Sequence, residues 1–370
     1  MTDVINVTRS SLPPMDEFIK EIAPLWESRW LTNMGDKHDA LESALIDFLD
    51  ADHLVLFCNG HHALEAAIQC FDFPAGSEII TSPFTFVSTT QAIVHSGLVP
   101  VFADIDPKSM TLDPAKVGPL INERTVAILP IHVYGFMADV QGFNDLKDKY
   151  NIKVIYDAAH AFGETFNGKN ASQFGDISMF SFHATKVFNT IEGGALTFSD
   201  GNLRERIAAH RNFGMRRSGD IPYVGSNSKL NEVQAAMGLC NLRHIDDYIS
   251  ARQVAVERYN ELLREADTLW VPTAQLDVKR NGAYYPVFFR RGGEERDRAF
   301  DYLRANNIMV RKYFHPLTSR LQFVTDRFAV QSTPIAARMS DTVLCLPLYE
   351  GLTETQQQYV VDTLRKGQFL

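Results

Sequence analysis

Three short stretches carry side chains whose types and spacing could do chemistry. Asp157-Ala158-Ala159-His160 puts a carboxylic acid directly after the apolar run Lys153–Tyr156. Ser181-Phe182-His183-Ala184-Thr185-Lys186 brings a hydroxyl, an imidazole and an amine together within six residues, again behind an apolar run, Ile177–Ser181. Cys58-Asn59-Gly60-His61-His62-Ala63-Leu64 follows His53–Phe57 and reads as a glycine turn opening a helix. The exposed N–H groups at such a helix start suit a phosphate. Each stretch alone has an ordinary explanation, since acids after strands cap helices and loop lysines are solvated. His61 and His62 have no third donor nearby in the chain, so no metal site is expected.

The elements that must hold these residues follow from hydrophobic periodicity. Strand-type runs occur at His53–Phe57, Glu78–Thr81, Val99–Phe102, Val126–Ile131, Lys153–Tyr156, Ile177–Ser181 and Ala195–Phe198. Helical spacing appears at Leu41–Leu49, Ala63–Cys70, Val87–His95, Pro114–Ile121 and Val140–Tyr150. Alternation of the two types predicts an α/β fold, a mostly parallel seven-stranded sheet flanked by helices. Beyond residue 200 the pattern changes. Leu203–Arg211 and Leu230–Arg264 read as helices, the second with a break near Ile245. Then come strand Ala283–Phe289, helix Glu294–Asn306, strand Ile308–Tyr313 and a last helix at Glu354–Gly367. The expected division is a large unit with an N-terminal arm, 1–250, and a smaller C-terminal α+β unit, 251–370. In an open α/β sheet, ligands bind at the carboxyl ends of the strands, where all three stretches lie. An acid, a lysine and a phosphate cradle in that setting are the parts that hold pyridoxal phosphate. The acid meets the pyridine nitrogen, the lysine forms the Schiff base, and the helix start takes the phosphate.

Composition removes several other classes. Lys and Arg number 36 against 45 Asp and Glu, a net charge of −9, which speaks against a nucleic-acid binder. No apolar run reaches about 18 residues and Met1–Ser11 has no leader pattern, so neither membrane nor secretion is expected. The four cysteines form no C-x-x-C pair, which suits reduced thiols in the cytoplasm. No G-x-G-x-x-G follows a strand, and no P-loop or G-x-S-x-G elbow occurs.

Motifs along nearly the whole chain then resemble one family, the DegT/StrS-type sugar-nucleotide aminotransferases. These run from Trp30-Leu31-Thr32-Asn33-Met34-Gly35 through Pro83–Thr89, Pro130–Gly135, Asp157–Ala161 and Ser181–Lys186. Glu192–Ala195, Arg211–Gly214, the stretch from Gly225–Lys229 to Ala235-Ala236, Tyr313–Leu317 and Leu346–Leu348 complete the series. The resemblance implies fold type I and pyridoxal 5'-phosphate as cofactor. By position, Lys186 would be the catalytic lysine and Asp157 the partner of the pyridine nitrogen, with His160 beside the cofactor's 3-oxygen. Phe86 would stack on the ring, while Ser181 and the amides of Gly60 and His61 would hold the phosphate. The family usually has Gly-Thr at this turn, so Gly60-His61 loses a hydroxyl. Asn227 would reach the phosphate of the neighbouring subunit, making the active unit a homodimer with shared sites.

The implied reaction is ping-pong transfer of an amino group from L-glutamate, leaving 2-oxoglutarate, to a dTDP- or UDP-linked ketosugar. Ser-Phe-His-Ala-Thr-Lys is similar to relatives acting on 4-keto-6-deoxyhexoses. The expected product is dTDP-4-amino-4,6-dideoxy-D-glucose, for surface polysaccharide or glycoside biosynthesis. A 3-amino sugar, the C4 epimer, and a catalytically silent regulator are the alternatives. Candidate sugar-nucleotide contacts are Asn33, Lys229, Tyr313, His315 and Tyr349.

Overall fold

The computed structural model describes residues 3–370. Its main sheet has seven strands: β1 (His53–Phe57), β2 (Glu78–Thr81), β3 (Val99–Phe102), β4 (Thr125–Leu129), β5 (Lys153–Asp157), β6 (Ile177–Ser181) and β7 (Gly194–Phe198). They lie in the order β1-β7-β6-β5-β4-β2-β3. β3, β2, β4, β5 and β6 run parallel, and β7 is antiparallel to both of its neighbours. The strands are predominantly apolar because both faces are covered. Leu54, Leu56, Val154 and Tyr156 face one core, while Val55, Phe57 and Ile155 face the other. This alternation is the two-residue period of a strand, read twice over.

Helices α1 (Asp36–Leu49), α2 (Gly60–Gln69), α3 (Val87–His95), α4 (Val140–Tyr150), α5 (Leu203–Arg211), α6 (Glu232–Arg243) and α7 (Ile245–Leu262) surround that sheet. Pro114–Ile121 is shorter than its periodicity predicts. An α-turn covers Pro114–Val117 and a 3₁₀ turn Gly118–Leu120, because Gly118-Pro119 withdraws a donor and weakens the helix. The break in the long helical stretch falls at His244. α7 crosses residue 250: Ile245, Tyr248 and Ile249 pack in the first core, Ala255 and Tyr259 in another.

That other core belongs to a small antiparallel sheet, β8 (Leu269–Trp270), β9 (Tyr285–Phe289) and β10 (Val343–Leu346), with β9 central. α8 (Gly293–Ala305) and α9 (Glu354–Lys366) cover it. The strand expected at Ile308–Tyr313 does not form. Ile308 and Val310 are buried as an alternating pattern requires, but the backbone is divided between partners. Met309 N–H donates to Ile5 O at 2.8 Å, and Cys345 N–H donates to Arg311 O at 2.8 Å. The ladder goes instead to Val343–Leu346, a run the periodicity reading passed over. Just before β9, Asn281 Nδ2 donates to His160 O at 2.9 Å and Phe162 O at 3.0 Å. The segment entering β9 is thereby fastened to the loop that follows β5.

Candidate active site

Strand register brings the three chemical stretches together. Asp157 pairs across from Met179 on β6, two residues before Ser181. Ser181 pairs with Gly194, and Gly194 pairs with Phe57 at the end of β1. The turn after β1 therefore passes directly over Gly194 and Ser181. A Cβ on Gly194 would lie 2.7 Å from Gly60 N, and one on Gly60 would lie 2.9 Å from Ser181 Cβ. Both glycines are needed for close approach of backbone to backbone.

Asn59 opens α2 as an extended N-cap, its Oδ1 accepting from His62 N–H at 2.8 Å. This leaves the N–H groups of Gly60 and His61 without an acceptor among the described residues, with Gly60 buried. Two unpaired donors at a helix start beside a serine hydroxyl form a cradle for a dianion. The His61 side chain turns along the helix instead, Nδ1 to Ser88 Oγ at 2.9 Å and Nε2 to Glu65 Oε1 at 3.3 Å. Gly60→Ala forces the cradle open, and overpacking of this kind costs about 1–3 kcal/mol. The expected result is cofactor retention weakened about 10- to 100-fold, measured by absorbance after gel filtration.

Asp157 is 6% exposed and receives only neutral donors: Thr89 Oγ1 to Oδ2 at 2.8 Å and Ala159 N–H to Oδ1 at 3.1 Å. Burial raises its carboxyl above the ordinary range; the two hydrogen bonds and the Lys186 charge offset this only in part. A buried carboxylate in this state is completed by a cation, and a protonated ring nitrogen supplies one. Lys186 borders a small cavity with Ala159, His160, Phe162 and Tyr284. Burial lowers its amine to about 8, against an opposing effect of Asp157, so near pH 8 about half is neutral. His160 is buried and its imidazole is held well below its usual range, first by burial. Tyr134 N–H donates to His160 Nδ1 at 3.0 Å, which fixes the tautomer with the proton on Nε2. Phe314 stacks on the ring at 5.9 Å and Tyr284 meets it edge-on at 4.8 Å.

The remaining expected residues are placed unevenly. Phe86 stands 57% exposed immediately before α3, on the segment that supplies Thr89. Asn227 is exposed, its Oδ1 accepting from Lys229 Nζ at 2.8 Å, and that amine also donates to Asn212 Oδ1 at 2.8 Å. Their loop is tied to the end of β1, with Cys58 N–H donating to Ser228 O at 2.8 Å. Tyr313 lies edge-on to Tyr284 at 5.9 Å, near the lysine cavity. Asn33 is exposed before α1, and His315 Nδ1 lies 3.3 Å from Ser340 Oγ. Among the described residues none of these three hydrogen-bonds to Lys186 or Asp157. Tyr349 is 1% exposed inside the second core, with Arg9 over its ring at 5.8 Å. It is a packing residue within the chain. Thr89, Tyr134 and Asn281 were not singled out from sequence. Thr89 and Tyr134 sit within the Pro83–Thr89 and Pro130–Gly135 motifs, but Tyr134 and Asn281 act through contacts only the fold creates.

The cradle, the buried carboxylate held only by neutral donors and the softened lysine fit pyridoxal phosphate, and the site defines an aminotransferase of the fold type I class. The family model for DegT/DnrJ/EryC1/StrS aminotransferases matches residues 14–365, and the chain belongs to that family. It is a pyridoxal-phosphate-dependent sugar-nucleotide aminotransferase. It is 38% identical over 367 residues to the dTDP-4-amino-4,6-dideoxy-D-glucose transaminase of Shigella dysenteriae, covering 99% of this chain and 100% of that one. The Escherichia coli protein of the same name is 37% identical over 355 residues, covering 95% of each chain. A crystal structure of DesI in the presence of its TDP-sugar product superposes with a TM-score of 0.94 at 29% identity, covering 99% of this chain and 93% of that one. No helix among the described residues is long and apolar enough to cross a membrane.

Proposed function

We propose that the chain moves an amino group from L-glutamate to dTDP-4-keto-6-deoxy-D-glucose, giving dTDP-4-amino-4,6-dideoxy-D-glucose and 2-oxoglutarate. The observation that carries the substrate is similarity of 37–38% over almost the full length to two transaminases bearing that product's name. In this reading the enzyme works in the cytoplasm, supplying an aminosugar for O-antigen or another surface polysaccharide.

The cofactor, when bound, supplies an electron sink for charge at the carbon that loses or gains nitrogen. The chain's own groups do the rest. Gly60 and His61 donate backbone N–H groups to the phosphate, joined by the Ser181 hydroxyl. Asp157, held by Thr89, keeps a proton on the ring nitrogen. His160 offers Nε2–H towards the 3-oxygen, and Phe86 covers the ring. Lys186 Nζ, neutral in a useful fraction near pH 8, takes and returns the proton at the substrate carbon. Asn33, Lys229, Tyr313 and His315 are proposed for the sugar nucleotide. The cofactor unit is residues 1–250, and 251–370 form a smaller unit closing over it.

The test is incubation with L-glutamate and a panel of dTDP- and UDP-linked 3- and 4-ketosugars, with products identified by NMR. The expected product carries an equatorial amine at C4 of the dTDP-sugar. A 3-amino product or the C4 epimer would replace the proposed substrate. Absence of 2-oxoglutarate with every sugar would remove the reaction itself.

A homodimer with shared sites belongs to the same proposal. Lys229 occupies Asn227 Oδ1, which leaves the amide nitrogen as a donor for a phosphate. Trp26, Trp30 and Phe213 leave more than half of their surface exposed in a single chain, as an interface would require. Mixing Lys186→Ala with Asn227→Asp subunits, each inactive alone, should restore about half of the parental activity per heterodimer, or about a quarter in a fully exchanged equimolar mixture, since one site then carries both lesions and the other none. No recovery after exchange verified by mass spectrometry would mean that Asn227 serves its own subunit.

A further inference from the structure

The imidazole at the phosphate turn has a second neighbourhood that the transamination site does not use. His61 and Glu65 stand one turn apart on α2, and the helix pairing brings His95, the last residue of α3, against them. His61 Nε2 lies 3.3 Å from Glu65 Oε1, and His95 Nδ1 lies 2.7 Å from the same oxygen. One donor atom from each of the three residues falls within 4.8 Å of the others. This corrects the expectation that His61 lacks a third donor. The missing ligands come from one turn along its own helix and from the neighbouring helix.

We propose that His61, Glu65 and His95 form a binding site for a zinc-class divalent transition metal on the outer side of α2 and α3. At metal–ligand distances of about 2.0–2.1 Å, tetrahedral donors lie about 3.3–3.4 Å apart. The His61–Glu65 spacing already has this value. The His95–Glu65 spacing must open by about 0.6 Å, a movement available to a surface side chain that is 58% exposed. Two imidazoles and one carboxylate leave a fourth position for water, facing solvent beside His95.

The surrounding contacts set the donors for a metal. His61 Nδ1 lies 2.9 Å from Ser88 Oγ; with its proton there, the ring turns the Nε2 lone pair to Glu65 and His95. This is the orienting hydrogen bond that ligating histidines typically make through their other nitrogen. Ser88 and His95 stand about two turns apart on one face of α3, so one helix supplies both the orienting group and a ligand. A magnesium-class ion, which favours an oxygen shell and six ligands, is poorly matched by two nitrogens and one carboxylate. The ion would clip α2 to α3 one residue beyond Gly60, keeping the His61 side chain away from the phosphate cradle.

The test uses tag-free holoenzyme, freed of unbound cofactor by gel filtration and titrated with zinc against a chromophoric chelator. One ion per chain is expected, with a rise in the melting temperature on zinc addition and none on magnesium addition. His95→Ala should weaken zinc binding more than about 100-fold and Ser88→Ala about 10-fold. Cys58→Ser, which alters the nearby thiol 3.7 Å from His62 Nδ1, should leave binding unchanged. Cobalt in place of zinc should give the visible absorption of a tetrahedral site, lost in Glu65→Gln. The exposed position of His95 makes its variant safe for folding, and retention of the cofactor's absorbance checks this. Zinc binding undiminished by His95→Ala, binding lost instead in Cys58→Ser, or no binding at about 1 mM zinc would each overturn the proposal.

Discussion

Lys186→Ala abolishes transamination and leaves a folded protein. The amine makes no hydrogen bond among the described residues, so truncation orphans no partner. Its removal relieves the chain of a group whose charged form is disfavoured in place. The sign follows from the lowered value. With the amine at about 8 in the folded chain and near 10.4 unfolded, the unfolded state binds more protons between those pH values. The stability penalty from this lysine is therefore complete below pH 8 and fades as pH rises towards 10. At pH 7 the variant should melt no lower than the parent by calorimetry, while turnover falls below detection. The same lowered value sets how the parent captures its cofactor. Capture by cofactor-free protein should quicken about tenfold per pH unit below pH 8 and level off above it, because the neutral amine is the nucleophile. Borohydride treatment of the parent should fix the cofactor on a peptide containing Lys186. A label on any other lysine, or a capture rate flat from pH 6 to 9, would remove this residue from its assigned place.

The large sheet was legible because its strands are apolar runs set between helices of clear 3.6-residue period. Parallel strands buried on both faces leave that signature, and the chemical residues stand directly behind them. What escaped were elements specified by partners far along the chain. Ile308 and Val310 alternate as a strand does, but the backbone groups of Met309 and Arg311 beside them find the N-terminal arm and Cys345 separately. Val343–Leu346 is too short to declare itself without β9 beside it. The same division runs through the site. Asp157, Lys186 and Gly60 could be proposed from sequence because each stands at or just beyond the end of its own strand. Tyr134 orients His160 through a backbone N–H, which no residue type can advertise. His95 was invisible for a related reason, since its partnership with His61 and Glu65 depends on how α2 lies against α3. Tyr349, offered from sequence as a sugar-nucleotide contact, stands 1% exposed among the residues of the second core.

Asp157→Asn keeps the cofactor bound and removes most of the rate. Asparagine preserves volume, its carbonyl oxygen still accepts from Thr89 or Ala159, and the phosphate cradle is untouched. The carboxylate's negative charge is what is lost. A neutral amide cannot hold the ring nitrogen protonated, so charge developing at the reacting carbon has a poorer sink. A deficit of about 4 kcal/mol in the barrier corresponds to about a thousandfold in kcat. Thr89 enters through the carboxylate alone. Its hydroxyl is the largest of the influences that oppose the rise caused by burial, so Thr89→Val should raise the carboxyl further. The loss of one hydrogen bond to a charged group is worth about 1.5–3 kcal/mol, or about 10- to 150-fold in rate, if it is fully expressed in the transition state. The two substitutions therefore should not add. In the Asp157→Asn background, Thr89→Val should change kcat by less than about threefold, and the double-mutant cycle reports that coupling directly. Wild-type kcat in Asp157→Asn would reduce Asp157 to a turn-forming residue. Full additivity would show that Thr89 acts on the ring or substrate by a route of its own.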